Sequence, residues 1–290
     1  ANAAVNKGAK PLVLEKLAFL GGAGLFPEGS LGVGTRYQKE HGIKTTVQQT
    51  LDAALQFHHF RADPSVLRVL IEESAKTIDE IQDMGIEFRG IRTMYPENES
   101  LMCWHLFKGG AAEVIKRFID NIKARGGEIL TKTRAQKLIT ENGAVVGVEA
   151  VNEKGDKIIV RARKVIIATG GFFANKEMAK EYLRFPNADG LAQTGKTGDG
   201  IRMAWAVGAG KEGTEVQASY RPGPRGVGTT NHVSATAKQP HLWLNPEGDR
   251  FVDETVMLEW PFAGNALERN GGKMWVVYDQ ATLDYMKNEG

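Results

Sequence analysis

Two glycine-containing turns, each joined to an apolar element, constrain the fold of this chain more than any other feature. A β-branched run at 165–167 stops at the tetrapeptide ATGG at 168–171. This pattern predicts a buried strand that ends in a turn where a ligand can approach the backbone closely. Further on, TGDG at 197–200 opens a helical pattern and places backbone N–H groups and one carboxylate at a helix N-terminus. Together the two turns are typical of a site for a nucleotide-like cofactor.

Composition limits the class of protein. With 290 residues, 42% of them hydrophobic, the chain can bury a large core in one big domain or two ordinary ones. The 37 basic and 35 acidic residues are mixed along the sequence, so no basic stripe predicts a nucleic-acid partner. No apolar run approaches the roughly 20 residues of a membrane span. The single cysteine, Cys103, excludes an internal disulfide framework and favours a cytoplasmic location slightly over export, which leaves the compartment open.

The first fifteen residues predict the second half of a βαβ unit. Residues 1–8 have the pattern of a helix end stopped by glycine, and 11–15 that of a short buried strand ending in Glu15. A dinucleotide-binding unit begins with a strand and the motif GxGxxG, followed about 20 residues later by an acidic residue that holds the ribose hydroxyls. Glu15 matches that acidic residue, but the preceding glycines are not in the sequence. We therefore expect a Rossmann-like domain whose first strand is missing.

The remaining patterns predict an α/β fold. Helical spacing covers 45–84, with a helix start at Asp63, and 109–124. Four strands at 128–131, 136–140, 145–151 and 157–160, with turns between the last three, predict an antiparallel β-meander that leads into a strand at 164–168. His58 and His59 are neighbours with no third ligand at useful spacing, so no metal site is predicted.

Three segments resemble the flavoprotein subunits of the fumarate reductase and succinate dehydrogenase family. In that family the ATGGF strand end, here 168–172, and the TGDG helix start both touch FAD. The segment LWLNPEGDRFVDE at 242–254 is similar to the family's LWVNxxGxRFxxE, which opens a substrate-capping domain. The resemblance implies an incomplete, Rossmann-like FAD-binding domain with a β-meander at 1–215, and the first part of an α+β capping domain at 216–290.

The resemblance also implies a set of FAD contacts. Glu15 would lie at the ribose, the GGAG segment at the phosphates, residues 29–32 at the flavin ring, and one meander residue at the adenine. Lys16 is a further implied contact. Three of these have an ordinary alternative: Glu15 as a strand-end carboxylate, the ATGG segment as a strand-to-loop turn, and Asp199 as a helix cap. The implied residues are Glu15, Lys16, Gly21, Gly22, Ala23, Gly24, Gly29, Ser30, Ala135, Ala168, Thr169, Gly170 and Asp199.

The expected catalytic residues depart from the family pattern. Where the family has Gln followed closely by His-Pro-Thr, this chain has QASYRP at 217–222, so fumarate is not carried over as the substrate. We expect Tyr220 to supply a proton or hydrogen bond, and Arg221 or Arg225 to polarise a carbonyl or carboxylate. The alternative is a structural loop with solvated arginines. Glu254 is a further candidate, through the family's proton path.

These expectations describe an FAD-dependent oxidoreductase that adds or removes hydrogen across a C–C bond next to an activating group. Its partner would be a small molecule with an activated double bond, and its electron donor is left open. Two alternatives remain: a ketosteroid-type dehydrogenase, and a fragment that folds without binding flavin. An open sheet edge would also favour self-association.

Replacing Tyr220 with Phe tests the expected proton donor. If Tyr220 donates a proton, Y220F in the intact catalytic protein lowers turnover, because the phenol hydroxyl is removed while the ring is kept. Steady-state kinetics measures the effect, and unchanged turnover would show that the hydroxyl takes no part.

Overall fold

The computed structural model describes residues 1–95, 98, 100–186, 195–215, 222–227 and 231–289. The chain is divided into two compact units. The first comprises Ala1–Asn175 and Leu191–Gly210, and the second comprises Lys176–Gly190 and Lys211–Gly290.

The first unit holds most of the regular structure. In chain order its elements are α1 (Asn2–Asn6), β1 (Leu12–Leu14), β2 (Gly29–Leu31), α2 (Arg36–Glu40), α3 (Val47–Phe57), α4 (Pro64–Asp83), β3 (Phe88–Thr93), β4 (Met102–Phe107), α5 (Gly110–Ala124), β5 (Glu128–Leu130), β6 (Thr133–Glu141), β7 (Ala144–Asn152), β8 (Lys157–Arg161) and, after α6 of the second unit (Lys176–Tyr182), α7 (Asp199–Ala206).

Three small sheets organise this unit. Strands β1 and β5 pair in parallel, β2, β4 and β3 form an antiparallel sheet in that order, and β6, β7 and β8 form an antiparallel meander. The meander confirms the prediction from the sequence. Its first turn is set by Asn142 and Gly143, whose φ values of 49° and 77° are those of a two-residue hairpin loop.

Side-chain caps define the two helices that cover the β2–β4–β3 sheet. In α3, Thr46 and Gln49 form a capping box. In α4, the Asp63 carboxylate accepts a hydrogen bond from the Ser65 N–H at 2.7 Å, and Pro64 occupies the first turn, as predicted. The core between helices and sheet contains Val33, Leu51, Ala54, Ile71, Tyr95, Leu101 and Cys103.

The predicted buried strand at 164–168 is not formed. Ile166 is 80% exposed and Ile167 is 41% exposed. Among the described residues, no backbone N–H or C=O of 164–170 has a backbone hydrogen-bond partner. The prediction of burial was wrong because an apolar run is buried only when neighbouring elements cover it, and the described chain places no strand alongside this one. Among the described residues of this unit, parallel pairing is limited to β1 and β5.

The second unit is a small α+β body. Besides α6, its elements are α8 (His232–Ala237), β9 (Leu242–Leu244), α9 (Trp260–Arg269), β10 (Trp275–Val277) and α10 (Gln280–Asn288). Strands β9 and β10 are antiparallel, and fully buried Trp243 packs with Met257 and Ala263. The structure is therefore mixed α/β with antiparallel sheets, which confirms the class predicted from the sequence. In the part of the chain that is described, no helix is both long and apolar enough to cross a membrane.

Candidate functional site

A buried carboxylate, Asp199, lies at the centre of the candidate site. Its side chain, at the start of α7, is only 8% exposed. Arg134 makes a two-point contact, donating from Nη2 to Oδ1 at 2.9 Å and from Nε to Oδ2 at 3.1 Å. Lys16 Nζ donates to Oδ2 at 3.1 Å and to the Thr197 hydroxyl at 2.6 Å. The Thr197 hydroxyl and Arg202 Nη2 reach Oδ1 at 3.0 and 3.3 Å.

These contacts leave the Asp199 carboxylate with little capacity for a further partner. Burial alone would raise its pKa, but the hydrogen bonds from Arg134, Lys16 and Thr197, together with the charge of Lys16, hold the pKa well below its usual range. The same pairing raises the pKa of the Arg134 guanidinium. The carboxylate is therefore ionised at neutral pH, and it joins the end of β1, the start of β6 and the start of α7.

A second junction brings the two predicted glycine turns together. The Gly200 N–H donates to the Thr169 hydroxyl oxygen at 3.1 Å. A Cβ on residue 200 would lie 2.3 Å from that oxygen and 2.4 Å from Ile167 Cγ2, so only glycine permits this approach. Gly170 and Gly198 have φ values of +72° and +75°, a left-handed conformation that glycine adopts without strain.

Glu15 differs from Asp199 in having room for a ligand. Its Oε1 accepts a hydrogen bond from the Leu17 N–H at 2.8 Å, and among the described residues Oε2 has no partner. Its carbonyl accepts from the Thr133 N–H at 2.8 Å, which places the end of β1 beside the start of β6. Ala135 follows on β6 and lines a cavity of about 500 Å³ between β6 and α7, together with Arg134, Asp199 and Arg202.

The predicted glycine-rich segment has exposed backbone. Residues 22–25 form one turn of 3-10 helix, in which Gly22, Ala23 and Gly24 are exposed. Gly29 is buried in β2, where a Cβ would lie 2.3 Å from the His105 carbonyl oxygen, and Ser30 lies opposite His105 in the sheet. The hydrogen bonds of the described residues therefore join Glu15, Lys16, Thr169 and Asp199, with Ala135 beside them. Among the described residues, no hydrogen bond joins the GGAG segment, Gly29 or Ser30 to this group.

The candidate catalytic residues belong to the second unit. Tyr220 and Arg221 lie outside the described residues, and Arg225 is exposed in a turn. Glu254 is buried: Arg250 Nε lies 3.0 and 3.1 Å from its two oxygens, and the Trp243 N–H donates to Oε1 at 3.0 Å. The hydrogen bond from Arg250, supported by that from the Trp243 N–H, outweighs burial and lowers the pKa of Glu254 to about 2.

Sequence reasoning missed three members of the site: Arg134, Thr197 and Arg202. Arg202 carried a local signal, since it lies three residues after Asp199 on the same helix. Thr197 is part of the TGDG motif, but the motif predicts a helix start and gives no role to its threonine. Arg134 carried no such signal, because its contact with Asp199 spans 65 residues.

Comparison with known proteins places this arrangement in a family. The sequence profile described as "FAD binding domain" matches residues 1–288. The chain belongs to the FAD binding domain family. FAD is the cofactor of this family. Together with relatives whose names include fumarate reductase, this match confirms the resemblance to fumarate reductase flavoproteins.

Individual relatives support the same assignment. The chain is 31% identical over 302 residues to a vinyl phenol reductase of Lactiplantibacillus plantarum, covering 99% of this chain and 60% of the relative. It is 30% identical over 258 residues to an NADH:fumarate oxidoreductase of Klebsiella pneumoniae, covering 86% of this chain and 27% of the relative. The chain thus spans only part of the length of both.

A solved structure shares the fold. The 3-ketosteroid-Δ4-(5α)-dehydrogenase of Rhodococcus jostii, in complex with 4-androstene-3,17-dione, superposes with a TM-score of 0.80 at 22% identity, covering 100% of this chain and 65% of that one. At this identity the likeness shows a shared fold alone.

The residues of the site fit the family's cofactor. One Glu15 carboxylate oxygen has no partner among the described residues, which suits hydroxyl groups such as those of a ribose, and residues 22–24 are exposed. Lys16, Arg134 and Arg202 together carry one more charge than the carboxylates of Asp199 and Glu15, which favours an anionic ligand.

Replacing Asp199 with Asn tests the central network. We expect D199N to lower the free energy of unfolding by about 2 kcal/mol, below the usual cost of breaking a buried pair because the cations are partly solvated. Because the native pKa of Asp199 is depressed, its contribution is fully present above the unfolded pKa of about 4 and is lost as the pH falls further. The difference between wild type and D199N in urea unfolding should therefore shrink below about pH 4.

Asp120 supplies the matched control for this measurement. It is also ion-paired, with Lys116 at 3.0 Å, but its side chain is 59% exposed. D120N should cost little, because exposed ion pairs contribute little to stability. Equal losses in D199N and D120N would contradict a central role for Asp199.

Proposed function

We propose that this chain is the FAD-holding part of an oxidoreductase that adds hydrogen across an activated C=C bond. One observation carries the proposal. Residues expected at the FAD from separate parts of the sequence, Glu15, Lys16, Thr169 and Asp199, meet in one network at the end of β1 and the start of α7. Membership of the FAD binding domain family supports the cofactor.

In this proposal, different residues of the first unit bind different parts of FAD. Glu15 binds the ribose through its free carboxylate oxygen, and the Ala135 backbone contacts the adenine. The backbone of Gly21, Gly22, Ala23 and Gly24 borders the phosphates, and Gly29 with Ser30 borders the flavin ring. Ala168, Thr169 and Gly170 border the cofactor through the turn that Gly200 allows.

The reaction class follows from the cofactor and the relatives. Bound FAD supplies hydride chemistry, and the protein supplies binding, orientation and proton transfer. The substrates in the names of these relatives, a vinyl phenol and fumarate, both contain a C=C bond conjugated to an activating group. We propose a small molecule of that class for this protein, without carrying over fumarate, since QASYRP replaces the family's histidine segment at 217–222.

The roles of the catalytic side chains are also proposals. Tyr220 would donate a proton to the carbon next to the one that receives hydride, and Arg221 or exposed Arg225 would polarise the activating group. Glu254 remains a proposed member of the proton path. These residues fall within the proposed capping domain at 216–290, with the FAD-binding domain at 1–215.

We further propose that the FAD-binding sheet accommodates one more strand. The segment 164–170 has no backbone partner among the described residues, Ile166 is 80% exposed, and β1 pairs with β5 along one edge only. Val165 and Leu14 nevertheless pack against the same cluster of Leu138, Val148 and Met203. A strand beside β1 and 165–169 would satisfy these backbone groups and cover the exposed isoleucines.

FAD binding tests the proposed function directly. We expect the purified chain to bind added FAD, with flavin absorbance that stays with the protein through gel filtration. G200A should weaken binding at least about tenfold, since its Cβ would force Thr169 away from α7.

Gly210→Ala is the matched control, because a Cβ there meets nothing within 4 Å. Equal affinity of G200A and G210A would contradict the proposed site. If the wild-type chain retained no flavin, the alternative of a fragment that folds without it would replace the proposal.

Hydrogen exchange tests the open strand. We expect the amides of 165–169 to exchange rapidly in this chain and to be strongly protected in a longer version that supplies the neighbouring strand. Equal exchange in both would contradict the added strand. The same open edge favours self-association, and sedimentation showing a monomer at all concentrations would contradict that.

A further inference from the structure

A buried histidine, His105, lies at the centre of the β2–β4–β3 sheet and has no role in the contacts described so far. It is 0% exposed and belongs to the face of β4 that also buries Cys103 and Phe107. In the sheet register it lies directly opposite Ser30. It therefore supports the strand whose residues are expected at the flavin ring.

One ring nitrogen of His105 holds the loop that follows β2. Nε2 lies 2.9 Å from the Thr35 hydroxyl oxygen, which also accepts a hydrogen bond from the Gln38 N–H at 3.0 Å. Gln38 Oε1 in turn accepts from the N–H groups of Gly34 and Thr35, at 2.6 and 3.1 Å. Its amide donates to the Met102 carbonyl at 2.7 Å, closing the network back onto β4.

The His105 ring packs closely against Gly32. A Cβ on residue 32 would lie 2.8 Å from His105 Cε1, 2.7 Å from Ile78 Cγ1 and 2.9 Å from Thr35 Cγ2. The Gly32 N–H donates to the Cys103 carbonyl at 2.8 Å. Gly32 is thus held by a hydrogen bond along one side and by the imidazole ring along another.

The ring is neutral at physiological pH. Burial lowers the pKa of His105 to about 4, and the nearby carbonyls of Cys103 and Ser30 and the charge of Asp79 oppose this only in part. Among the described residues, Nδ1 has no partner at hydrogen-bond geometry and is buried. In the described part of the chain, the Thr35 hydroxyl is the hydrogen-bond partner of Nε2. Losing this hydroxyl would leave Nε2 unpaired as well as Nδ1.

We infer that His105 is a positioning residue, which holds the segment 29–35 in place through its hydrogen bond to Thr35 and its contact with Gly32. The inference rests on the proposed function, because Gly29 and Ser30 are expected at the flavin. His105 does not touch the cofactor in this account. It fixes the backbone that does.

Four variants test the inference. H105L removes the hydrogen bond while keeping a side chain of similar bulk, T35V removes it from the other side, and H105Q keeps an acceptor within reach of Thr35. H41Q is the control, because His41 is an exposed histidine in the same unit whose Nδ1 contacts the Tyr37 carbonyl. Each variant is measured for FAD affinity by fluorescence quenching, for the visible spectrum of bound flavin, and for its urea midpoint.

We expect H105L and T35V each to weaken FAD binding about tenfold and to shift the flavin bands, with the double variant no worse than either single one. H105Q should recover most of the affinity and the wild-type spectrum, and H41Q should equal wild type. A purely structural role would lower the urea midpoint without changing the spectrum of flavin bound to the folded protein. Unchanged affinity and spectrum in both H105L and T35V would overturn the inference.

A failure of the proposed function can be told apart from a failure of this inference. If the wild-type chain does not bind FAD, the amide resonances of Ser30 and Leu31 report the position of β2 directly. They should shift in H105L and T35V and return in H105Q if His105 positions the strand. Unchanged amide shifts would overturn the inference whether or not flavin binds.

Discussion

The desolvation of one carboxylate constrains the rest of the cofactor region. Asp199 is almost fully buried, and an unpaired charge there would cost several kcal/mol. The chain meets this requirement with cations from three places: Lys16 after β1, Arg134 in β6 and Arg202 in α7. Because these segments are far apart in sequence, satisfying one charge fixes where β1 ends, where the meander begins and where α7 starts.

The parts of this arrangement that the sequence predicted are those with a local signal. The Asp63 cap, the Asn142-Gly143 turn and the glycines at 170 and 198 each act within a few residues, so their patterns can be recognised without a structure. The family resemblance assigned both glycine turns to FAD but did not predict the hydrogen bond that joins them. The pairing of Arg134 with Asp199 could not be predicted, because alternation along a strand does not say which side chain a distant helix will meet.

The strand at 164–168 shows a different limit. Its β-branched residues predict burial, but burial depends on what lies beside a segment as well as on its own composition. Ile166 stays exposed because nothing in the described structure covers it, whereas Val165 is partly buried against the Leu138 cluster. His105 shows the reverse: a polar residue in an apolar run carried no signal, yet it is fully buried and bonded to Thr35.

The carboxylates of Asp199, Glu254 and Glu15 differ in how many of their hydrogen-bond acceptor positions are unoccupied. Asp199 and Glu254 are occupied by cations and N–H donors, and both have depressed pKa values, so neither holds a proton at neutral pH. Glu15 keeps one oxygen without a partner among the described residues, as a ligand for hydroxyl groups requires.

A residue that gives a proton to substrate must carry one at working pH. Glu254 would have to lose its contacts with Arg250 before it could do so, whereas a tyrosine hydroxyl is protonated at neutral pH without any such rearrangement. The contacts of Glu254 in the second unit therefore argue against Glu254 as the direct proton donor of the proposed reaction.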